Sequence, residues 1–192
     1  MNLFLLRHGE TEYTKLKRIQ GQSNVSLNDE GIKMAQKIAE SIQNFKITHI
    51  YCSTLKRASQ TADIVNSSLK IKIIYDPRIN ERDYGVWEHN FWSKIFKDNP
   101  NLNETWETEG VEFRPPKGES LKEVINRTLS FFNELIKKHY SKDNILIVSH
   151  GGPLKVIAGY TKGLNELDYY KQNSLKPCEL LHIKYDGGIK IE

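Results

Sequence analysis

The chain is poor in the residues that staple small folds: it has two cysteines and six prolines in 192 residues. Cys52 and Cys178 lie far apart, each in an apolar, strand-like run, which argues for buried free thiols and against a disulfide framework. The six histidines are scattered without a His-x-x-x-His pair, so no zinc-ligand cluster is spelled out and no metal is expected. No stretch is apolar for the length of a membrane span. The opening apolar run, residues 1–6, is short, lacks a basic leader and runs straight into Arg7-His8, so it reads as a first strand and the expected compartment is the cytoplasm. Charge of one sign is also scarce: 28 Lys and Arg face 24 Asp and Glu, a net +4 with no basic stripe or tail. That speaks against nucleic acid as a partner and leaves a mild field suited to anionic metabolites. Repeats and low-complexity tracts are absent.

What is present suits one soluble α/β domain. Hydrophobic residues make up 38% and charged residues 27%, and the length allows a core without metals or disulfides. Residues 3–6 form a continuous apolar run, the pattern of a strand covered on both faces. Residues 7–27 are polar and read as a loop. A helix starts at the N-cap Asn28, with Ile32, Ala35, Ile38, Ala39 and Ile42 at helical spacing. A second strand is expected at 49–52, then a helix over 55–65 with Ala58, Ala62 and Ile64 inward, and a third strand over 71–75. Ser120 and Glu123 spell a capping box at the head of a long helix through Val124, Leu129, Phe132, Leu135 and Ile136. Residues 145–148 read as the fourth strand, 153–160 as a helix, and 180–185 as a further strand with a short hairpin through Gly187-Gly188. Alternating strands and helices predict a three-layer α/β/α sandwich with a mostly parallel sheet. Ligands of such sheets bind beyond the carboxyl ends of the strands. Residues 86–117 hold all three tryptophans, Trp87, Trp92 and Trp106, and read as a lid-like insertion within a single domain spanning 1–192. Their aromatics fit a local cluster or a substrate-contacting role equally well.

Three chain-distant segments place chemistry at that rim. His8 follows strand one, with Gly9 next to it as a carbonyl that fixes the ring tautomer. Arg7 and Arg57 suit bidentate contacts to phosphate oxygens. His150, at a strand-to-helix turn with Gly151, offers a further donor and a helix start. Glu81, in the loop after strand three, is the best general acid. Together these are the parts of covalent phosphoryl transfer: a nucleophile, a charge clamp and a proton donor. Each alone is weak, since a lone histidine after a strand or an arginine on a helix is usually structural.

The run Leu6-Arg7-His8-Gly9-Glu10-Thr11 resembles the signature of the histidine phosphatase superfamily, the phosphoglycerate-mutase-like proteins. Three more motifs agree in order and spacing: Cys52-Ser53-Thr54-Leu55-Lys56-Arg57-Ala58, Asn80-Glu81-Arg82-Asp83-Tyr84-Gly85, and Val148-Ser149-His150-Gly151-Gly152. The resemblance covers nearly the whole chain. It implies a phosphohistidine on His8, an Arg7/Arg57/His150 phosphate clamp, Glu81 as proton donor, a helix-flanked α/β sheet, and no metal or other cofactor. Substrate-side positions by the same resemblance are Thr14, Gln20, Gly21, Arg82, Tyr84 and Gly151. Two departures stand out. Thr14 occupies a position that is commonly Asn, and His89 follows Trp87-Glu88 where Gly is frequent.

The acid-loop spelling and the short length favour the phosphatase branch, which includes alpha-ribazole-phosphatase-like and broad-specificity enzymes. The expected activity is hydrolysis of a small-molecule phosphate monoester. The alternatives are a cofactor-dependent phosphoglycerate mutase, in which Arg82, Tyr84 and Arg114 bind a carboxylate, and a catalytically weak regulatory binding module. Oligomeric state is open, a homodimer included.

Overall fold

Strands that are apolar on both faces need cover on both faces, and here they receive it. The computed structural model describes residues 1–186. Its five-stranded sheet has the order β3-β2-β4-β1-β5, from β1 (Asn2–Arg7), β2 (His49–Cys52), β3 (Ile73–Tyr75), β4 (Asn144–Ser149) and β5 (Leu180–Lys184). The first four run parallel, and β5 lies antiparallel to β1 at the edge. Strand alternation divides the core. Leu3, Leu5, Ile145 and Ile147 pack on Phe131, Phe132 and Leu135 of α6 (Leu121–Lys138) and on Leu154 and Ile157 of α7 (Gly151–Thr161). Phe4, Leu6, Leu146 and Val148 face the opposite way, onto Ile38 of α2 (Asp29–Ser41) and Ala58, Ala62 and Val65 of α3 (Lys56–Asn66). This is the expected three-layer α/β/α sandwich. Among the described residues no helix is long and apolar enough to cross a membrane.

The helix starts fall where their caps are spelled. The Gly31 amide donates to the Asn28 side chain at 2.8 Å. Ser120 and Glu123 close the reciprocal capping box, with Ser120 N to Glu123 Oε2 at 2.8 Å and Glu123 N to Ser120 Oγ at 3.1 Å. Several details differ from the sequence reading. Residues 7–27 contain a one-turn helix, α1 (Glu12–Lys15), capped by Thr11. Strand β3 starts at Ile73; it has one neighbour, and Ile74 and Tyr75 are exposed. In α3 the inward residue is Val65, while Ile64 is half-buried. Both thiols are free and buried, but Cys178 sits in a turn at φ 54° rather than in a strand. Its amide faces Arg7 O and His8 O at 3.1 and 3.3 Å. The Gly187-Gly188 hairpin lies outside the described residues.

Residues 84–113 form a separate small core. Trp87 and Phe113 join Ile95 of α4 (Trp92–Asp98), Leu102 of α5 (Leu102–Glu109) and Ile19, with Tyr84, Trp92 and Trp106 packed around them.

Candidate active site

Strand register assembles the site. The β1–β4 pairing sets Arg7 opposite Ser149, so His8 and His150 leave adjacent strand ends together, their ring centroids 5.1 Å apart. The His8 amide continues the ladder to Ser149 O at 3.0 Å. On the other side of β4, Ser53 leaves β2 with its amide on Val148 O at 3.0 Å, and Arg57 follows in the first turn of α3.

His8 is buried, and its Nδ1 lies 2.7 Å from Gly9 O. A carbonyl only accepts, so Nδ1 carries the proton and Nε2 presents a lone pair. Arg57 Nε–H points at that Nε2 from 3.3 Å. Burial, then the Arg57 and Arg7 charges, hold the His8 pKa well below 6.5, so the imidazole is neutral at physiological pH. Arg57 is itself fully buried, and burial lowers its pKa to about 10, which leaves it cationic. It donates to Gly21 O at 2.7 Å and Ser23 O at 3.0 Å. Gly21 is required there: φ is +52° and a Cβ would fall 1.8 Å from a Glu88 carboxylate oxygen. Arg7 donates through Nη1 to Leu175 O at 2.6 Å.

His150 caps α7 and stays neutral by burial and by Arg57 and His8 beside it. Its Nε2 lies 2.7 Å from Ser53 Oγ, which is also 2.8 Å from Asn80 Oδ1. Asn80 Oδ1 only accepts, so the Ser53 proton goes to it and Ser53 Oγ accepts from His150 Nε2–H, which leaves Nδ1 to donate only once the ring is protonated. Glu81 comes next in the chain after Asn80. Its carboxylate accepts from Arg82 N at 2.9 Å and Gly152 N at 3.3 Å. Gly152 permits this approach, since a Cβ would lie 2.5 Å from Glu81 Oε1. Arg127 of α6 clamps the whole loop. It donates to Arg78 O and Asn80 O at 2.7 Å each and to Glu81 O at 3.0 Å, and its fork meets the Glu119 carboxylate.

Arg7, His8, Gln20, Gly21, Arg57, Glu81, Tyr84 and Gly151 line one cavity of about 260 Å³, together with Arg18, Trp92, Lys155 and Tyr170. Four cations therefore face one carboxylate, an environment for a dianion. Among the described residues, five buried side-chain polar atoms lack a hydrogen-bond partner: Arg7 Nε, Arg18 Nε, His150 Nδ1, Tyr170 Oη and Trp106 Nε1. Three belong to this lining, and the His150 ring flanks His8. Orphaned polar groups are costly, and their concentration here marks a ligand site.

Some expected substrate contacts are placed elsewhere. Thr14 is not in the lining; its hydroxyl bonds Thr11 Oγ1 and accepts from Gln20 Nε2 at 3.0 Å each, so it holds Gln20 in place. Arg82 is buried and turned away, donating to Glu119 O at 2.9 Å and Phe113 O at 2.7 Å. Arg114 pairs with Glu123 at 2.7 Å. Exposed His89 adopts φ 68°, the conformation that makes glycine frequent at its position. Arg127, Lys155, Arg18, Tyr170 and Ser53 were not singled out in the sequence; only Ser53 lies in a quoted motif. The scattered histidines also gather more than expected: His49, His139 and Asp143 meet within 4.8 Å away from the cavity. There the His139 ring nitrogens already face Tyr51 Oη and Asp143.

Known proteins bear on this arrangement. The family model described as the histidine phosphatase superfamily (branch 1) matches residues 3–190. A Proteus mirabilis protein named "Probable phosphoglycerate mutase GpmB" is 34% identical over 98% of this chain and 86% of its own length. The alpha-ribazole phosphatase of Shigella flexneri superposes with a TM-score of 0.87 at 26% identity, covering 97% of this chain and 92% of that one. A mycobacterial glucosyl-3-phosphoglycerate phosphatase shares the fold, with a TM-score of 0.86 at 24% identity over 94% of this chain and 90% of that one.

Proposed function

Because this chain belongs to the histidine phosphatase superfamily (branch 1), we propose that it is a phosphomonoester hydrolase working through a phosphohistidine on His8. The observation that carries this reading is the His8 geometry: Nδ1–H held by Gly9 O and a neutral Nε2 lone pair turned into a cavity of four cations. Nε2 attacks phosphorus, and the bond to the ester oxygen breaks. Glu81, as general acid, gives a proton to the departing oxygen. Arg7, Arg57 and His150 hold the phosphoryl oxygens through the transition state. Glu81 then takes a proton from water as that water attacks phosphorus. The P–N bond breaks, and inorganic phosphate and neutral His8 are regenerated. Gln20, Gly21, Tyr84 and Gly151 border the ester. Residues 86–117 act as a lid-like part of the same single domain, excluding bulk water while leaving room for the one that reacts.

A second reading, phosphoglycerate mutase, is favoured by the curated names of the relatives. Both share the phosphohistidine and differ in what receives the phosphoryl group. The test is phosphate release from p-nitrophenyl phosphate, with rapid-quench detection of phosphohistidine. His8→Ala is expected to lower turnover by on the order of 10⁴-fold or more and to abolish the label. In parallel, 3-phosphoglycerate is supplied with and without 2,3-bisphosphoglycerate. Fast primer-dependent isomerisation with negligible phosphate release would overturn the hydrolase reading. Absence of both turnover and label across a broad ester panel would favour a binding module.

A further inference from the structure

At the end of the sheet away from the catalytic cavity, three ionisable side chains from separate segments meet. His49 opens β2, His139 follows the last turn of α6, and Asp143 directly precedes β4. One donor atom from each lies within 4.8 Å of the other two. The two imidazole centroids are 4.2 Å apart, and the His139 and Asp143 side chains are only 7% and 13% exposed.

Hydrogen bonding decides where the lone pairs are. Thr48 Oγ1 donates to Asn144 O at 3.1 Å, so it accepts in its 2.9 Å contact with His49 Nδ1. His49 Nδ1 therefore bears the proton, and Nε2 keeps the lone pair. Burial, then the neighbouring His139, lowers the His49 pKa, so the ring is neutral. Asp143 is held anionic first by the Tyr140 amide at 3.0 Å and then by His139 Nδ1 at 3.1 Å. His139 Nε2 meets Tyr51 Oη at 2.8 Å. A phenol hydroxyl donates or accepts, so this contact is kept with the ring proton on either nitrogen. With the proton on Nε2, the Nδ1 lone pair faces the Asp143 carboxylate. That tautomer is repelled by the carboxylate alone and favoured by a cation shared between them.

We propose that His49, His139 and Asp143 bind one divalent transition-metal ion of the Zn²⁺ class, in a site separate from the catalytic cavity. Two imidazoles and one carboxylate are a donor set that such ions select and Mg²⁺ does not. Three protein ligands leave the fourth position to water. A tetrahedral site with Zn–N bonds of about 2.0–2.1 Å has edges of about 3.4 Å, and the His139–Asp143 pair at 3.1 Å is close to one. The half-buried His49 ring turns to complete the site. Thr48 Oγ1 and Tyr51 Oη then hold the far ring N–H groups, the outer contacts by which ligating histidines are oriented. The ion ties the start of β2 to the end of α6 and to the turn into β4, and it takes no part in chemistry at His8.

The test is calorimetric titration of the untagged chain with Zn²⁺. One ion per chain is expected, with a Kd of about 10 μM or tighter; weaker binding overturns the proposal. His49→Ala is expected to weaken the binding by about tenfold or more, and a smaller effect overturns it. His49→Gln keeps the side-chain bulk without an imidazole and carries the same expectation if His49→Ala fails to fold. An ion held in the catalytic cavity instead would ignore both variants and be weakened by His8→Ala, which also overturns it. Excess Mg²⁺ is expected not to displace Zn²⁺; displacement would contradict the donor set. Because the ion binds the folded chain, Zn²⁺ is expected to raise the urea midpoint of the parent and not that of His49→Ala. An equal rise in both, or none in either, counts against the site.

Discussion

The cavity has two walls built on different principles. The strand-end wall carries His8, Arg57 and His150, all nearly or fully buried: His8 is tied to the neighbouring Gly9 carbonyl, Arg57 to the Gly21 carbonyl and His150 to the Ser53 hydroxyl. Its positions follow from parallel pairing, because the Arg7–Ser149 register fixes where the next residue of each strand must go. The facing wall, residues 84–113, pairs with no strand of the sheet and is held by its own aromatic core. One wall is rigid by register and carries the proposed chemistry. The other is secured by side-chain packing and, on the proposed function, shapes the space beside the ester. Function can vary across such a molecule by repacking the second wall while the first stays as it is.

The largest expected effect lies at the joint of the two walls. Arg127→Ala removes donors from Arg78 O, Asn80 O and Glu81 O and takes the paired cation from the Glu119 carboxylate, which keeps the Asp83 amide. A loss of about 3 kcal/mol in unfolding free energy is expected, with kcat down about a hundredfold as Glu81 loses its placement. Arg127→Lys should recover part of the stability but not kcat, because one ammonium cannot span three carbonyls. Equal recovery of both would show that Arg127 serves stability alone.

Phe113→Ala strikes only the second wall, at a cost of about 3 kcal/mol. All three tryptophans lie in that wall, so their fluorescence reports it while far-UV circular dichroism reports the sheet and its helices. The fluorescence transition is expected to move to lower urea than the dichroism transition. A single shared transition would show that the walls unfold as one.

Acid strikes the first wall. The folded-state pKa values of His8 and His150 are held well below 6.5 by burial and neighbouring cations. The unfolded chain therefore binds more protons below pH 6.5. Their contribution is complete above about pH 7.5 and is lost as pH falls, at up to about 1.4 kcal/mol per pH unit per histidine. Urea midpoints between pH 7.5 and 5 check this; a flat profile would contradict neutral burial. The smallest effect is expected from Thr14→Val, which loosens Gln20 without baring the cavity: KM for p-nitrophenyl phosphate within about fivefold of the parent. A larger rise would return Thr14 to the substrate.

The same contrast explains what could be read from the sequence. Continuous apolar runs predict two-sided burial, and polar residues directly after them must stand at the carboxyl rim, which places Arg7, His8 and His150 without a structure. Caps with local spelling, Asn28 and Ser120, are legible for the same reason. Arg127 and Lys155 were not, because each sits in an otherwise ordinary helix and acquires its role from what the helix packs against. Arg82 shows the converse: it belongs to a quoted motif, yet its guanidinium serves the carbonyls of residues 113 and 119.

The strand that bears His8 has a further consequence, for biosynthesis. Among the described residues β1 pairs with β4 and β5, both later in the chain, so β1 has no sheet partner until the ribosome has passed residue 149. At ordinary elongation rates that interval is on the order of ten seconds, during which Leu3-Phe4-Leu5-Leu6 is an unpaired apolar edge in the nascent chain. The proposed phosphate clamp is completed later still, when Leu175 O reaches Arg7 and the Cys178 amide reaches Arg7 O and His8 O. Arg7 and His8 are thus translated well before the groups that complete their surroundings, and a chain released before β5 would leave the ribosome with His8 present and the proposed site unmade.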